Sequence, residues 1–144
     1  MKFFICFLVF FGIGFGHAYG YEEIVKSNFK VVNTLGEEIK SPLVEQQLNL
    51  QTSLTNVSNK EMEWVYIVQI IDSNGSIVDL NFSTGALVEN QTLTTALFWT
   101  PHNYGTYKIE TFVWNNLRDI SALYPKSSFT ITVTYSTNFH YYNS

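Results

Sequence analysis

The segment Phe129-Thr-Ile-Thr-Val-Thr-Tyr135 alternates apolar residues with threonine at every step. Successive strand side chains point to opposite faces, so this run fits a β-strand with one buried and one wetted face, and not a helix. Leu48-Asn-Leu-Gln-Thr-Ser-Leu54 repeats the pattern, whereas Glu63-Trp-Val-Tyr-Ile-Val-Gln-Ile-Ile71 is apolar on both faces and reads as a central strand. Ser76 to Phe82, Thr92 to Trp99 and Thr106 to Trp114 add three more strands, and Phe29 to Val32 a short first one broken near Gly36. Asp72-Ser-Asn-Gly75 supplies a turn, since glycine takes positive φ at no steric cost. No apolar repeat of helical period runs for more than a few positions. About seven strands at this spacing predict an all-β chain folded as an antiparallel β-sandwich rather than a closed barrel. Its expected core holds Leu48, Leu50, Leu54, Val68, Ile70, Tyr107, Ile109, Ile131 and Val133.

The N-terminus has a separate character. Lys2 precedes an apolar run from Phe3 to Gly16, and small residues follow at Ala18 and Gly20. A positive start, an apolar segment and a small-residue exit are the parts of a secretory signal peptide. The run of about 14 residues is short against the roughly 20 that a helix needs to cross a bilayer. The expectation is a signal peptide at 1–20, cleaved after Ala18 or Gly20, a sandwich domain at 21–136 and a C-terminal tail at 137–144. The chain is expected to be secreted or displayed at the cell surface, with no stable membrane insertion after cleavage.

Charge and cysteine content exclude several function classes. Removing Lys2 leaves seven cations against 12 acidic residues, a net charge of −5. A mildly acidic domain without a basic cluster lacks the electrostatic footprint for nucleic acid and the stripe that binds anionic lipid. The single cysteine, Cys6, lies in the apolar run, so the processed domain is expected to carry no disulfide, thiolate metal site or cysteine nucleophile. No cofactor is expected.

Trp99-Thr-Pro-His-Asn-Tyr-Gly-Thr-Tyr-Lys-Ile109 resembles the entry to the sixth strand of immunoglobulin-like sandwiches, where Pro and Gly turn the chain and a tyrosine follows. The resemblance implies a tyrosine corner at Tyr107, its hydroxyl bonded back to the backbone of the turn. More of the chain is similar to secreted archaeal immunoglobulin-like domains that often occur as repeats in cell-surface proteins. The matching pieces are Val31-Val-Asn-Thr-Leu-Gly36, Tyr66 to Gly75, Trp99-Thr-Pro101 through Phe112-Val-Trp114, Ser121 to Leu123 with Pro125, and Phe129 to Val133. These motifs are structural, so the resemblance implies an immunoglobulin-like sandwich and a compartment rather than a reaction. One departure is that only a single copy is present.

Few residues suggest chemistry. His102 and His140 are isolated, and a copper sandwich would need a cysteine beside two histidines. Asp72, Asp79, Glu89, Glu110 and Asp119 are scattered without calcium-loop spacing, and no G-x-S-x-G motif is present. Carboxylates far apart in the chain can still meet as a glycosidase pair, which sequence alone leaves open. No enzymatic activity is expected. Four sequons, at Asn56, Asn74, Asn81 and Asn90, are candidate glycosylation sites, with Asn81 set apart because it falls within a strand.

Aromatic residues make up 17% of the chain. Most belong in a sandwich core, but alternation turns Phe112 and Trp114 outward if Tyr107, Ile109 and Val113 face inward. They would then lie beside the second apolar face of the central strand, formed by Val65, Ile67 and Ile71. An outward apolar strip of this kind marks a partner surface, unless loops or the aromatic tail Phe139 to Tyr142 cover it. The sequence therefore points to a non-catalytic extracellular structural or adhesion-type module, with a protein, a surface glycan or a second copy as partner. The alternative is a carbohydrate-binding module that uses exposed aromatic residues as stacking platforms.

Overall fold

The computed structural model describes residues 23–118 and 121–137. The expected signal peptide, Cys6, Asp119, His140 and the aromatic tail lie outside the described residues. Eight strands follow in order: β1 (Ile24–Lys26), β2 (Lys30–Val32), β3 (Leu48–Asn56), β4 (Met62–Ile71), β5 (Ile77–Leu87), β6 (Thr92–Trp99), β7 (Gly105–Trp114) and β8 (Ala122–Val133). They form two antiparallel sheets.

The smaller sheet is built on β3, which pairs with β6 along one edge and with β1 and β2 in tandem along the other. β1 and β2 are one edge strand interrupted at Ser27. There the Ser53 amide donates to Ser27 Oγ and the Thr52 hydroxyl donates to the Ser27 carbonyl, each at 2.8 Å. The alternation of β3 translates directly into burial: Leu48, Leu50, Thr52 and Leu54 are buried, and Asn49, Gln51 and Ser53 between them are only partly so. The opposite face of this sheet is mostly polar, with hydroxyl pairs Ser53–Thr94 and Thr55–Thr92 at 2.8 Å, and carries the exposed Val25 and Phe98.

The larger sheet has the order β5-β4-β7-β8. Met62, Trp64, Tyr66, Val68 and Ile70 of β4 enter the core with Tyr107, Ile109 and Val113 of β7 and Val133 of β8. Burying each large aliphatic side chain contributes roughly 1.5–3 kcal/mol. Asp72 shapes the β4–β5 turn, accepting bonds from the amides of Asn74 and Ser76 at 2.9 Å, and Gly75 takes φ of 80°.

Cross-connections join the sheets at both ends. Between β2 and β3, the Val44 amide donates to the Thr134 carbonyl and the Thr134 amide to the Pro42 carbonyl. At the other end, Asn56 Nδ2 donates to the Leu87 carbonyl at 2.8 Å.

Some sequence expectations shift. The first strand is Ile24–Lys26, not Phe29 to Val32, and β5 continues past Phe82 to Leu87. β8 begins at Ala122, well before Phe129, with register shifts against β7 between Thr111 and Trp114. A bulge of this kind tolerates Pro125 on an edge strand, where its missing N–H costs little. Ile131 is only partly buried against the core, because β8 is an edge strand.

Candidate interaction surface

With one face of the larger sheet in the core, the other displays side chains of β4 flanked by both neighbours. Register sets Val65 between Thr84 and Trp114, and Ile67 between Phe82 and Phe112. Residues directly opposite in antiparallel strands share a face, with Cβ atoms roughly 4.5–5.5 Å apart. Val65, Ile67, Phe112 and Trp114 are therefore brought together. Ile71 lies further along β4, opposite Lys108.

Val65 and Ile67 are nonetheless only 3% and 8% exposed. Their larger neighbours on the sheet close over them: the Phe112 and Trp114 rings tilt together with centroids 5.7 Å apart. What faces solvent is the apolar rim. Phe82 and Leu80 of β5 are each 56% exposed, and Phe112 and Trp114 are half-buried. Sequence reasoning missed Leu80 and Phe82, although the alternation of β5 with the known face of β4 would have placed them.

The two ends of this face differ. At one, the 115–118 turn closes a groove of about 630 Å³ against Glu63, Val65, Thr84 and Ala86, with Arg118 on its wall. At the other, Glu110 is buried among polar partners: Lys108 Nζ at 3.1 Å, Lys126 Nζ at 3.5 Å and Gln69 Nε2 at 3.3 Å. The bond from Lys108, with the charges of both lysines, holds the Glu110 carboxyl below the usual carboxylate range against the opposing effect of burial.

Tyr107 closes the turn before its strand: its hydroxyl donates to the Asn103 carbonyl at 2.8 Å, the bond a tyrosine corner makes. Burial, with the charge of Asp72, pushes that hydroxyl above its ordinary pKa. His102 Nδ1 lies 3.0 Å from Glu45 Oε1, with both side chains exposed. Among the described residues no group of three or more His, Cys, Asp or Glu could hold a metal ion, and no helix is long and apolar enough to cross a membrane.

The four sequons fall into two environments. Asn74, Asn81 and Asn90 are exposed, the first and last in turns that flank β5 and the second within it. Asn56 is fully buried. Its Nδ2 donates to the Lys60 carbonyl at 2.7 Å and to the Leu87 carbonyl at 2.8 Å, and its Oδ1 accepts from the Ser58 amide and hydroxyl. The nitrogen that a glycan would occupy is committed to the fold.

Neither a protein-family model nor a curated protein sequence matches the chain. Solved structures do match in shape. The C-terminal domain of Wzt superposes with a TM-score of 0.67 at 12% identity, over 85% of this chain and 80% of that one. A CARDB domain from Pyrococcus furiosus, solved in complex with di-metal ions, gives 0.55 at 16% identity, over 81% of this chain and 99% of that one. A β-glucosidase from Listeria innocua gives 0.53 at 18% identity over 78% of this chain, but only 16% of the enzyme is covered. At these identities the likeness shows architecture, and the chain has the fold of an immunoglobulin-like antiparallel β-sandwich.

Proposed function

We propose that this chain is a non-catalytic extracellular module that works at the cell surface by presenting the outer face of β5-β4-β7-β8 to a protein partner. One observation carries the reading. The outer face of the smaller sheet carries hydroxyl pairs with Phe98 and Val25 standing apart on it, whereas that of the larger sheet gathers Leu80, Ile67, Phe82, Phe112 and Trp114 on adjoining strands. Burying exposed apolar side chains against a partner is the main driving force for association, and contiguous patches of them are uncommon on monomers. The apolar run from Phe3 to Gly16 supports export, and the fold matches the C-terminal domain of Wzt and a CARDB domain over 80% and 99% of their lengths. In an exported chain, Asn74, Asn81 and Asn90 are the sequons whose exposure suits a glycan.

The experiment has two parts. Fractionation of native cells with mass spectrometry should find the protein outside the cytoplasm, with its N-terminus near Tyr19 or Tyr21. Retention of Met1 in a cytoplasmic pool would overturn the export reading. Purified protein should then bind isolated cell envelopes, and Phe112→Ser and Trp114→Ser should each weaken binding about tenfold or more, as central apolar contacts do. Envelope binding unaffected by either substitution would overturn the assignment of this face. The carbohydrate reading rests on the exposed Tyr104 and Tyr135, whose rings lie 5.0 Å apart. Glycan-array binding abolished by Tyr104→Ala or Trp114→Ala would favour it instead.

A further inference from the structure

An open sheet edge presents unpaired N–H and C=O groups that accept another strand, and proteins usually blunt such edges with Lys, Pro, bulges, interruptions or inward charges. β8 carries Pro125, Lys126 and the register shifts against β7. The β1–β2 edge is interrupted at Ser27 and bears Lys26 and Lys30. β5 skips Val78 in its pairing with β4 and sets Asp79 on the inner side, opposite Ile70. β6 has none of these devices. Thr92–Trp99 contains no charged residue, Pro or Gly, and it pairs with β3 without a register shift. An uncharged segment of this length and β-propensity invites strand addition.

β5 runs beside this edge, on the same flank of the sandwich. The two strands are joined at one end by the 88–91 turn, and at the other Val78 and Asp79 share a groove of about 310 Å³ with Phe98 and Trp99. Three sequon asparagines follow β5: Asn74 in the turn before it, Asn81 near its middle and Asn90 in the turn that leads into β6. All three are exposed, whereas Asn56, the sequon on β3, is buried. The side-chain amides of Asn74 and Asn90 make no hydrogen bond among the described residues, and that of Asn81 makes a surface bond of 3.4 Å to Asp79. We propose that N-linked glycans on Asn81 and Asn90 are the guard of the β6 edge.

Strand register gives the sugar its direction. Asn81 is paired with Val68, a core residue, so it stands on the side of β5 that faces the smaller sheet and its flank strand β6. Leu80 and Phe82 alternate to the opposite side. A glycan on Asn81 therefore lies over the gap between the two edges and not over the outer apolar face. Asn90 stands two residues before β6 begins. A bulky, solubilising sugar excludes an incoming strand without any charge on β6 itself, which accounts for how that strand stays neutral. No sequon side chain falls among Leu80, Phe82, Phe112 and Trp114, so the proposed contact face remains bare. This inference rests on the export reading, since N-linked glycans are added to exported chains.

Native protein is mapped first, and glycopeptides are expected at Asn81 and Asn90 on a chain whose N-terminus lies near Tyr19 or Tyr21. That processed N-terminus with both asparagines bare would overturn the guard and leave export standing. Intact Met1 on a sugar-free cytoplasmic chain would overturn both. The glycosylated parent is then compared by light scattering, across a concentration series, with the Asn81→Gln/Asn90→Gly variant from the same host. Glycine is used at position 90 because φ there is 61°. The parent should stay monomeric, and the variant should lose monomer several-fold at the highest concentration. Adding Thr94→Lys, an exposed position on β6, should restore the monomer, whereas Thr84→Lys on β5 should not. A variant as monomeric as the parent would overturn the proposal. Loss of monomer that Thr94→Lys fails to reverse, or that Thr84→Lys reverses equally, would overturn it as well.

Discussion

Gly85 lies flat against the indole of Trp64: a Cβ at position 85 would meet Trp64 Cζ2 at 2.7 Å and Cε2 at 3.0 Å. Trp64 belongs to the core and Gly85 faces it directly across β4 and β5. The glycine is there to let the backbone approach the ring, and the ring cannot withdraw from a packed interior. Gly85→Ala is expected to cost about 1–3 kcal/mol, the range for forcing an extra methyl into a filled site. Chemical denaturation measures it, and a variant as stable as the parent would show that the indole can move.

Tyr66 points to a polar liability in the same core. Its hydroxyl is buried with no hydrogen-bond partner among the described residues, and burial pushes its pKa far above the ordinary value. An unpaired buried hydroxyl costs about 1–3 kcal/mol, so Tyr66→Phe should leave stability unchanged or raise it. A thermal melt shifted down by several degrees would mean that the hydroxyl is satisfied in solution.

Much of the architecture was legible because the signal is local. The alternation of Leu48 to Leu54 and of Phe129 to Val133 encodes which side of a strand is wet, and that is decided one residue at a time. The short β1 was not legible, since Ile24–Lys26 has too few residues to show a period and is held by its pairing with β3. The outer apolar strip was legible only in part. Alternation set Val65 and Ile67 beside Phe112 and Trp114, as the register bears out, but how far the two rings tilt together and close over them depends on side-chain packing that alternation does not encode. The fate of Asn56 was hidden for the same reason: its carbonyl partners, Lys60 and Leu87, are set by tertiary structure.

Glu110 gives the domain a pH-dependent contribution. Its folded pKa is lowered, chiefly by the bond from Lys108. The stabilisation is therefore fully present above the ordinary carboxylate value and is lost as pH falls through the lowered one. Because both lysines are about half exposed, its size is about 1 kcal/mol or less. Glu110→Gln should be less stable than the parent at pH 7, and the two unfolding curves should converge in acid. A gap that persists at low pH would mean that packing, not charge, is lost.

Asn56→Asp is a sharper substitution. It replaces an amide that donates to two carbonyls with an oxygen that cannot, and turns a carboxylate toward the Leu87 carbonyl. The expected loss is about 2–5 kcal/mol, from unsatisfied buried acceptors and a buried charge. Peptide mapping of native protein should also find Asn56 unmodified while glycans, where present, sit at Asn74, Asn81 or Asn90. A glycan on Asn56 in soluble folded protein would contradict the burial described above.

The cross-connections at the two ends of the sandwich bear on how the molecule comes apart. Two sheets that touch only through side chains can separate gradually, one layer loosening before the other. Here Asn56 ties β3 to the end of β5, and the 42–44 segment is bonded to Thr134 just past β8. Neither layer can open far without breaking bonds to its counterpart. The slowest-exchanging amides of β3 and β4 should consequently share one opening free energy, the global one, and the short β1 should fray independently below it.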